Sequence, residues 1–595
     1  MVSSEHYLAT QAGIKVLENG GNAADAAVAV QMTLNVVEPA MSGIGGGCFI
    51  MYYDKALDTV YAIDGREEAP NLYHPQIFCA NTTCFEQIVS RPNASDNSPV
   101  CDCFQANQTI STYENRAYGG LSNGVPGTLY AMHLLHQNLG SGVPLAEWPN
   151  LFVDAITAAE NDYNATKALF FNEDGTVKAQ VGQTFYNPDL GQTLRILGSN
   201  TSDFAVEYFY RGELAREIVD TTRASVNPTT QRYGLMSQDD LSNYRAVFRN
   251  PVVGTYLNEY LVFGMNMPSS GGVSLLQMLN YDEAMVTDSE YYVNESTANN
   301  SSFAEYVDDV VNGNMYHLDI YDANVIHTWI TLLDLAFADR NHYEGDQDFI
   351  TPGVPVQGLL NKTYARNRLR QFFSDQYVSV PIRYGTPPNW NATNNITDIP
   401  NVEHGTSHFV VLATPFPFFK QKSYKEDQKT NLCLLLPKKN KKKVVDKWGN
   451  IACITTTIEN MFGSGVTVPN RGFLLNNECT DFDTLGVTSD GTFTANAPMG
   501  GKRQRKSALN AFGSEDSTSL GGKRPRSSMT PTLVFNASIY RQQNRLEPIL
   551  AIGSPGGSTI FGTVWQGLSK ILFWLFFLFF IFYLTILMTI IIIKY

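Results

Sequence analysis

Residues 22–64 constrain the fold more than any other part of this chain. Asn22 can cap a helix over Ala23–Val36 made largely of Ala and Val, whose small side chains suit close burial against a sheet. A glycine turn, Ser42–Gly47, follows. Then come two runs of β-forming residues, Cys48–Tyr53 and Thr59–Asp64, separated by a short polar turn, which predicts a hairpin. A helix that narrow beside a hairpin that apolar implies a helical layer laid on a sheet. Residues 5–19 read as a further amphipathic helix, ended by Gly20-Gly21. The glycine turn is not a dinucleotide fingerprint, because it leads into a strand instead of joining a strand to a helix.

Further along, residues 80–115 are polar and cysteine-bearing and read as an exposed loop. Residues 128–380 alternate helical patterns with loops, and Leu332–Asn341 is a good helix. Residues 383–405, rich in Pro, Asn, Thr and Gly, read as an exposed, loosely ordered stretch. From His408 onward strands dominate: Ile451–Ile458, Gly472–Leu475, Thr532–Phe535 and Pro548–Ile552. The pattern predicts layered α and β elements.

The formal net charge of -15 carries no basic field, which argues against a nucleic-acid partner. Four of the eight cysteines fall within residues 79–103, and Asn-x-Ser/Thr acceptor patterns recur, among them Asn81, Asn93, Asn107, Asn164, Asn200, Asn294, Asn361, Asn391, Asn395 and Asn536. Together they indicate a secretory, oxidising route and an extracellular or lumen-facing protein. A zinc site at Cys79–Cys103 is a weaker reading, since the spacing fits no finger and no histidine joins it. No signal peptide follows Met1, so the chain reads as beginning inside a longer protein.

Two segments stand apart. Residues 410–443 hold a Phe/Lys-rich insert, and residues 567–595 an apolar tail whose run Ile571–Ile593 exceeds the roughly 20 residues a bilayer span needs. The tail reads either as a single-span membrane anchor or, like the insert, as translated non-coding sequence.

Motifs spread over residues 3–566 resemble those of the γ-glutamyltransferase (glutathione hydrolase) family, in the family's order. They are SEHYLATQAGIKVLENGGNAADAAVA, SGIGGGCFIMYY, DGREEAP, GVPGTLYAMH, PSSGG, AFADRNHY, GTSHF, GNIACITTTIENMFGSG, GFLLNNECTDFD, KRPRSSMTPT and GSPGGSTIFGT. The resemblance implies an α+β fold, a four-layer αββα sandwich of the N-terminal-nucleophile hydrolase type. It also implies self-cleavage between Gly405 and Thr406 into a large subunit, 1–405, and a small one whose recognisable part is 406–566. Glutathione and other γ-glutamyl compounds are the implied donors, and water, an amino acid or a dipeptide the implied acceptors. No organic cofactor or metal is implied. The chemistry is self-consistent: the α-amino group of a new Thr406 terminus, with a reference pKa near 8, can accept the proton of its own hydroxyl.

The same resemblance assigns further roles. Thr457 matches a threonine whose hydroxyl supports the nucleophile, and His408 is taken as structural. Gly556 and Gly557 match the oxyanion-hole loop. Arg66 matches the arginine that pairs with the donor α-carboxylate, for which a guanidinium is suited by its parallel donors. Ser527 and Ser528 match the serine pair on that carboxylate, and Glu478 and Asp481 the groups that hold the ammonium. Glu459 stands where the family commonly has Asn. It could hold the same ammonium, or Asn460 could fill the role by a one-residue slip. Arg526 replaces a usual apolar residue, and the family continues beyond the point where the tail begins. The insert and tail leave a second reading open: a catalytically silent, membrane-anchored homologue with a binding role, or a sequence interrupted by non-coding translation.

Overall fold

The computed structural model of the chain describes residues 1–91, 98, 100–101, 113–162, 187–288, 323–350, 353–374, 382–389, 407–412, 448–484, 486, 494–500, 503–504 and 520–572. Thr406, most of the insert and residues 573–595 of the apolar tail lie outside them.

The opening segment folds as its composition dictates. The first helix spans Tyr7–Glu18 and the second Ala23–Val37. Asn22 Oδ1 accepts from the N–H of Ala24 at 2.9 Å and of Asp25 at 3.1 Å, while Asp25 Oδ2 accepts from the N–H of Asn22 at 2.9 Å. This reciprocal cap satisfies donors that the buried helix end would otherwise strand, each such cap contributing about 1 kcal/mol.

The described residues hold twelve strands: β1 (Val2–Ser3), β2 (Gly47–Asp54), β3 (Thr59–Gly65), β4 (Val247–Arg249), β5 (Val252–Tyr256), β6 (Tyr260–Gly264), β7 (Ser407–Leu412), β8 (Ile451–Thr457), β9 (Arg503–Gln504), β10 (Leu520–Gly521), β11 (Thr532–Asn536) and β12 (Pro548–Ile552). Six form one antiparallel sheet in the order β1-β7-β8-β2-β3-β4. Four form a second, β12-β11-β6-β5, and β9 and β10 make a separate small ribbon. Strand β2 shows why the sheets stack. Its alternate residues Cys48, Ile50 and Tyr52 pack toward the first two helices, and Phe49, Met51 and Tyr53 pack toward the second sheet. Tyr53 meets Phe535 of β11 edge to face at 5.0 Å. On the far side of the second sheet, Leu276 of the helix Gly271–Thr287 lies against Gly254 of β5. Helix, sheet, sheet and helix therefore follow in four layers.

Several sequence expectations need correction. The 80–115 segment is not simply a loop: Thr82–Ser90 is a helix that buries Cys84, Phe85 and Ile88, and a disulfide joins Cys84 to Cys101 with 5.7 Å between their Cα atoms. Cys79 is also disulfide-bonded, so although these three sulfurs cluster, their chemistry is oxidative pairing. Strands β4–β6 lie inside the region read as helices and loops; they are short, and their apolar alternation is broken by Gly254 and Gly264. Gly472–Leu475 forms no strand, only a bridge from Leu474 to Thr467. The helix around Leu332–Asn341 extends over Ala323–Tyr343.

The glycine turn acquires a physical role. A Cβ on Gly46 would lie 2.0 Å from the carbonyl oxygen of Thr457. Only a residue without one lets this turn press against the end of β8.

Candidate active site

Strand pairing brings the 407 segment beside Thr457. Strand β7 pairs antiparallel with β8, Ser407 opposite Thr456, and β8 pairs with β2, Thr457 opposite Gly47. Thr457 Oγ accepts the N–H of Glu459 at 2.7 Å. Glu459 has a left-handed backbone, φ 75°, which turns the chain sharply after β8. Its carboxylate accepts the Tyr113 hydroxyl at 2.6 Å, and Asn477 Nδ2 donates to the same hydroxyl at 3.1 Å. Asn477 Oδ1 in turn accepts the N–H of Asn460 at 3.0 Å. The residue after Glu459 thus serves the turn through its backbone.

Glu478 and Asp481 lie on one 3-10 turn, Glu478–Asp481, and both form ion pairs with the guanidinium of Arg66. All three side chains are buried. Arg66 also donates from Nε to the carbonyl of Pro525 and from Nη2 to that of Arg526, each at 3.1 Å. It thereby anchors the segment that continues into Ser527 and Ser528. Behind it, Glu67 is fully buried, and burial pushes its carboxyl up to about 8, with the nearby Arg66 charge pulling the other way. Arg66, Glu478 and Asp481, read from distant parts of the sequence, therefore form one ion-paired cluster; Ser527 and Ser528 adjoin it through the backbone that Arg66 holds, and Glu459 through Tyr113 and Asn477. A guanidinium next to several carboxyls, in a low-dielectric setting, suits a ligand end carrying both charge signs.

The loop bearing Gly556 and Gly557 is tied to β7. Both glycines have positive φ, 127° and 57°, a conformation that L side chains resist. At the root of the loop, a Cβ on Gly553 would lie 2.1 Å from Cε1 of His408. His408 is buried; its Nδ1 lies 3.0 Å from Thr455 Oγ, and burial lowers its pKa to about 3. A neutral, enclosed imidazole is a packing element here. Its backbone N–H donates to Glu5 Oε1 at 3.1 Å, and Glu5 is pushed up to about 7, chiefly by burial.

Three contributors were missed in the sequence. Arg340, fully buried, donates from Nε to Ser270 Oγ and from Nη2 to Ser528 Oγ, both at 2.7 Å. Both Arg340 and Ser270 sit inside recognised motifs, AFADRNHY and PSSGG, and an arginine within an apolar helix pattern was a usable signal. Tyr113 had none, because its partner Glu459 is 346 residues away. Arg526, the departure from the apolar pattern, is accommodated by carbonyls of Arg340 and Glu344, both at 3.2 Å.

The four-layer architecture is the αββα fold of the N-terminal-nucleophile hydrolases. The cephalosporin acylase of Bacillus halodurans has the same fold, with a TM-score of 0.59 and 19% identity over 96% of this chain and 80% of that one. The chain belongs to the Gamma-glutamyltranspeptidase family, whose model matches residues 9–95, 88–415 and 441–576. The match leaves out 416–440, within the Phe/Lys-rich insert. A glutathione hydrolase proenzyme of Bacillus subtilis (strain 168) is 31% identical over 582 residues, spanning 95% of this chain and 76% of the relative. One of Escherichia coli (strain K12) is 28% identical over 584 residues, spanning 95% and 77%.

Proposed function

We propose that this protein hydrolyses and transfers γ-glutamyl groups, with glutathione among its donors, through a γ-glutamyl ester on Thr406 formed after self-cleavage at Gly405-Thr406. One observation carries the choice of donor: Arg66 lies between Glu478 and Asp481 and braces the Ser527–Ser528 segment. A γ-glutamyl group presents an α-carboxylate and an α-ammonium side by side. Inserted here, its carboxylate would meet Arg66 and the two serines, and its ammonium Glu478, Asp481 and Glu459. Each internal ion pair is then exchanged for a pair with substrate, so no buried charge is left uncompensated. The names of the relatives support the same donor and a precursor form.

Thr406 directly precedes Ser407 in the chain, and the pairing partner of Ser407, Thr456, adjoins Thr457. In the proposed cycle the Thr406 hydroxyl attacks the donor γ-carbonyl while its α-amino group takes the proton. The N–H groups of Gly556 and Gly557 stabilise the oxyanion, and the leaving amine recovers the proton. Water or an acceptor amine then resolves the ester. Cleavage of the precursor uses the same hydroxyl in an N-to-O acyl shift.

A secretory destination is part of this proposal. The Cys84–Cys101 disulfide suits an oxidising compartment, and the acceptor residues Asn81, Asn200 and Asn361 are exposed. Among the described residues no helix is long and apolar enough to cross a membrane; an anchor, if the chain has one, would be the tail.

N-terminal sequencing and intact mass of the expressed full chain test the proposal, with Thr406→Ala as control. A new terminus at Thr406, absent from the control, together with release of p-nitroaniline from γ-glutamyl-p-nitroanilide, is the expected result. A processed chain that does not turn over this donor would overturn the assignment of substrate, and a folded, uncleaved wild-type chain that of nucleophile.

A further inference from the structure

The carboxylate side of the cluster contains a second guanidinium. Arg340 lies near the end of the long helix Ala323–Tyr343, fully enclosed. Its Nε–H donates to Ser270 Oγ and its Nη2–H to Ser528 Oγ, both at 2.7 Å. Ser270 acts in turn on the other serine of the pair: its N–H and its hydroxyl donate to the carbonyl of Ser527 at 2.8 and 2.6 Å. One cation therefore fixes the side chain of Ser528 and, through Ser270, the backbone of Ser527.

The geometry restricts what the Ser528 hydroxyl can do. A serine oxygen has one proton and two lone pairs, and a guanidinium can only donate. With one lone pair facing Arg340, the Ser528 proton is directed away from that cation, as a donor. A hydroxyl that accepts a charge-assisted bond is also polarised into a stronger donor.

We propose that Arg340 is a positioning residue for recognition of the donor α-carboxylate: it orients Ser528 directly and Ser527 through Ser270, without touching the substrate. This rests on the proposed γ-glutamyl donor and adds to it the residue that sets the serine pair.

The test compares two donors on the full-length processed chain: γ-glutamyl-p-nitroanilide, and 4-aminobutanoyl-p-nitroanilide, which keeps the amine and lacks the α-carboxylate. Wild type should strongly prefer the first. Arg340→Lys keeps the charge and loses the fork that reaches both serines. It should raise KM for the γ-glutamyl donor about ten- to a hundredfold, the range for losing a hydrogen bond to a charged group, with KM for the decarboxylated donor changed less than about twofold and kcat for each largely held. A merely structural Arg340 would shift both donors together, and that parallel loss overturns the proposal, as does unaltered discrimination. Should Arg340→Lys fail to fold, Ser270→Ala carries the same comparison, because it removes the link from Arg340 to Ser527; a donor-selective rise in KM supports the proposal and an equal rise overturns it. Failure of wild type to turn over either donor would instead count against the γ-glutamyl assignment itself.

Discussion

Replacing Gly553 by alanine tests how the glycine loop is held. An added Cβ would lie 2.1, 2.4 and 2.6 Å from Cε1, Nδ1 and Nε2 of His408. Contacts between carbons settle near about 3.5 Å, so roughly 1.4 Å must be recovered by movement. The imidazole has little room to yield: it is 2% exposed, its Nδ1 meets Thr455 Oγ at 3.0 Å, and its backbone N–H is held by Glu5 at 3.1 Å. The loop therefore gives way, and it carries Gly556 and Gly557. Overpacking of this kind costs about 1–3 kcal/mol of stability, and a misplacement of about 1 Å at a catalytic group costs about a hundredfold in rate. Gly553→Ala should lower kcat on γ-glutamyl-p-nitroanilide by about that factor with donor KM little changed, since the Arg66 cluster is untouched. Intact mass reports the processed fraction and a thermal melt the fold. In the double variant Gly553→Ala/His408→Ala the ring that the methyl strikes is gone, so kcat should exceed that of Gly553→Ala alone. A folded Gly553→Ala enzyme with wild-type kcat, or a double variant in which the two losses multiply, would refute the coupling.

Other consequences can be measured separately. Arg66→Met removes the partner of two buried carboxylates and should destabilise the chain by about 3–5 kcal/mol, read from urea unfolding; a loss under about 1 kcal/mol would mean that the cluster is solvated, as exposed pairs are. Tyr113→Phe deletes the donor to Glu459 and should raise donor KM by about tenfold with kcat retained. An unchanged KM would remove Glu459 from the ammonium site. Asp282 is buried, and its pKa is pushed from 3.8 up to about 8 by desolvation, which outweighs its bond from the Trp565 indole. Its ionisation opposes folding, so its contribution to stability is complete below pH 3.8 and lost as pH rises to about 8. Between those limits the melting temperature of wild type should fall relative to that of Asp282→Asn; parallel profiles would contradict this.

The sequence determined the local elements by chemistry that acts over a few residues. Asn22 three positions before Asp25 sets a reciprocal helix cap, the small residues of Ala23–Val37 allow close burial, and the β-forming runs on either side of residues 55–58 make the hairpin β2–β3. The motifs also named most of the polar cluster, because each lies in a short recognisable string. Periodicity failed at β4–β6, whose few residues are strands only because β3 and β11 supply partners, and at Thr82–Ser90, whose polar surroundings hid a buried face.

What only the tertiary structure decided is how distant groups share charge and space. Arg66 meets Asp481 across 415 residues, and Arg340 meets Ser528 across 188. His408 and Gly553 become neighbours when the sheets stack, and Tyr113 and Glu459 when the helix Tyr113–Ala117 packs beside the turn after β8. Such pairings depend on burial, which turns a charge or a missing Cβ into a strong constraint, and burial is a property of the assembled layers that no local pattern in the chain records.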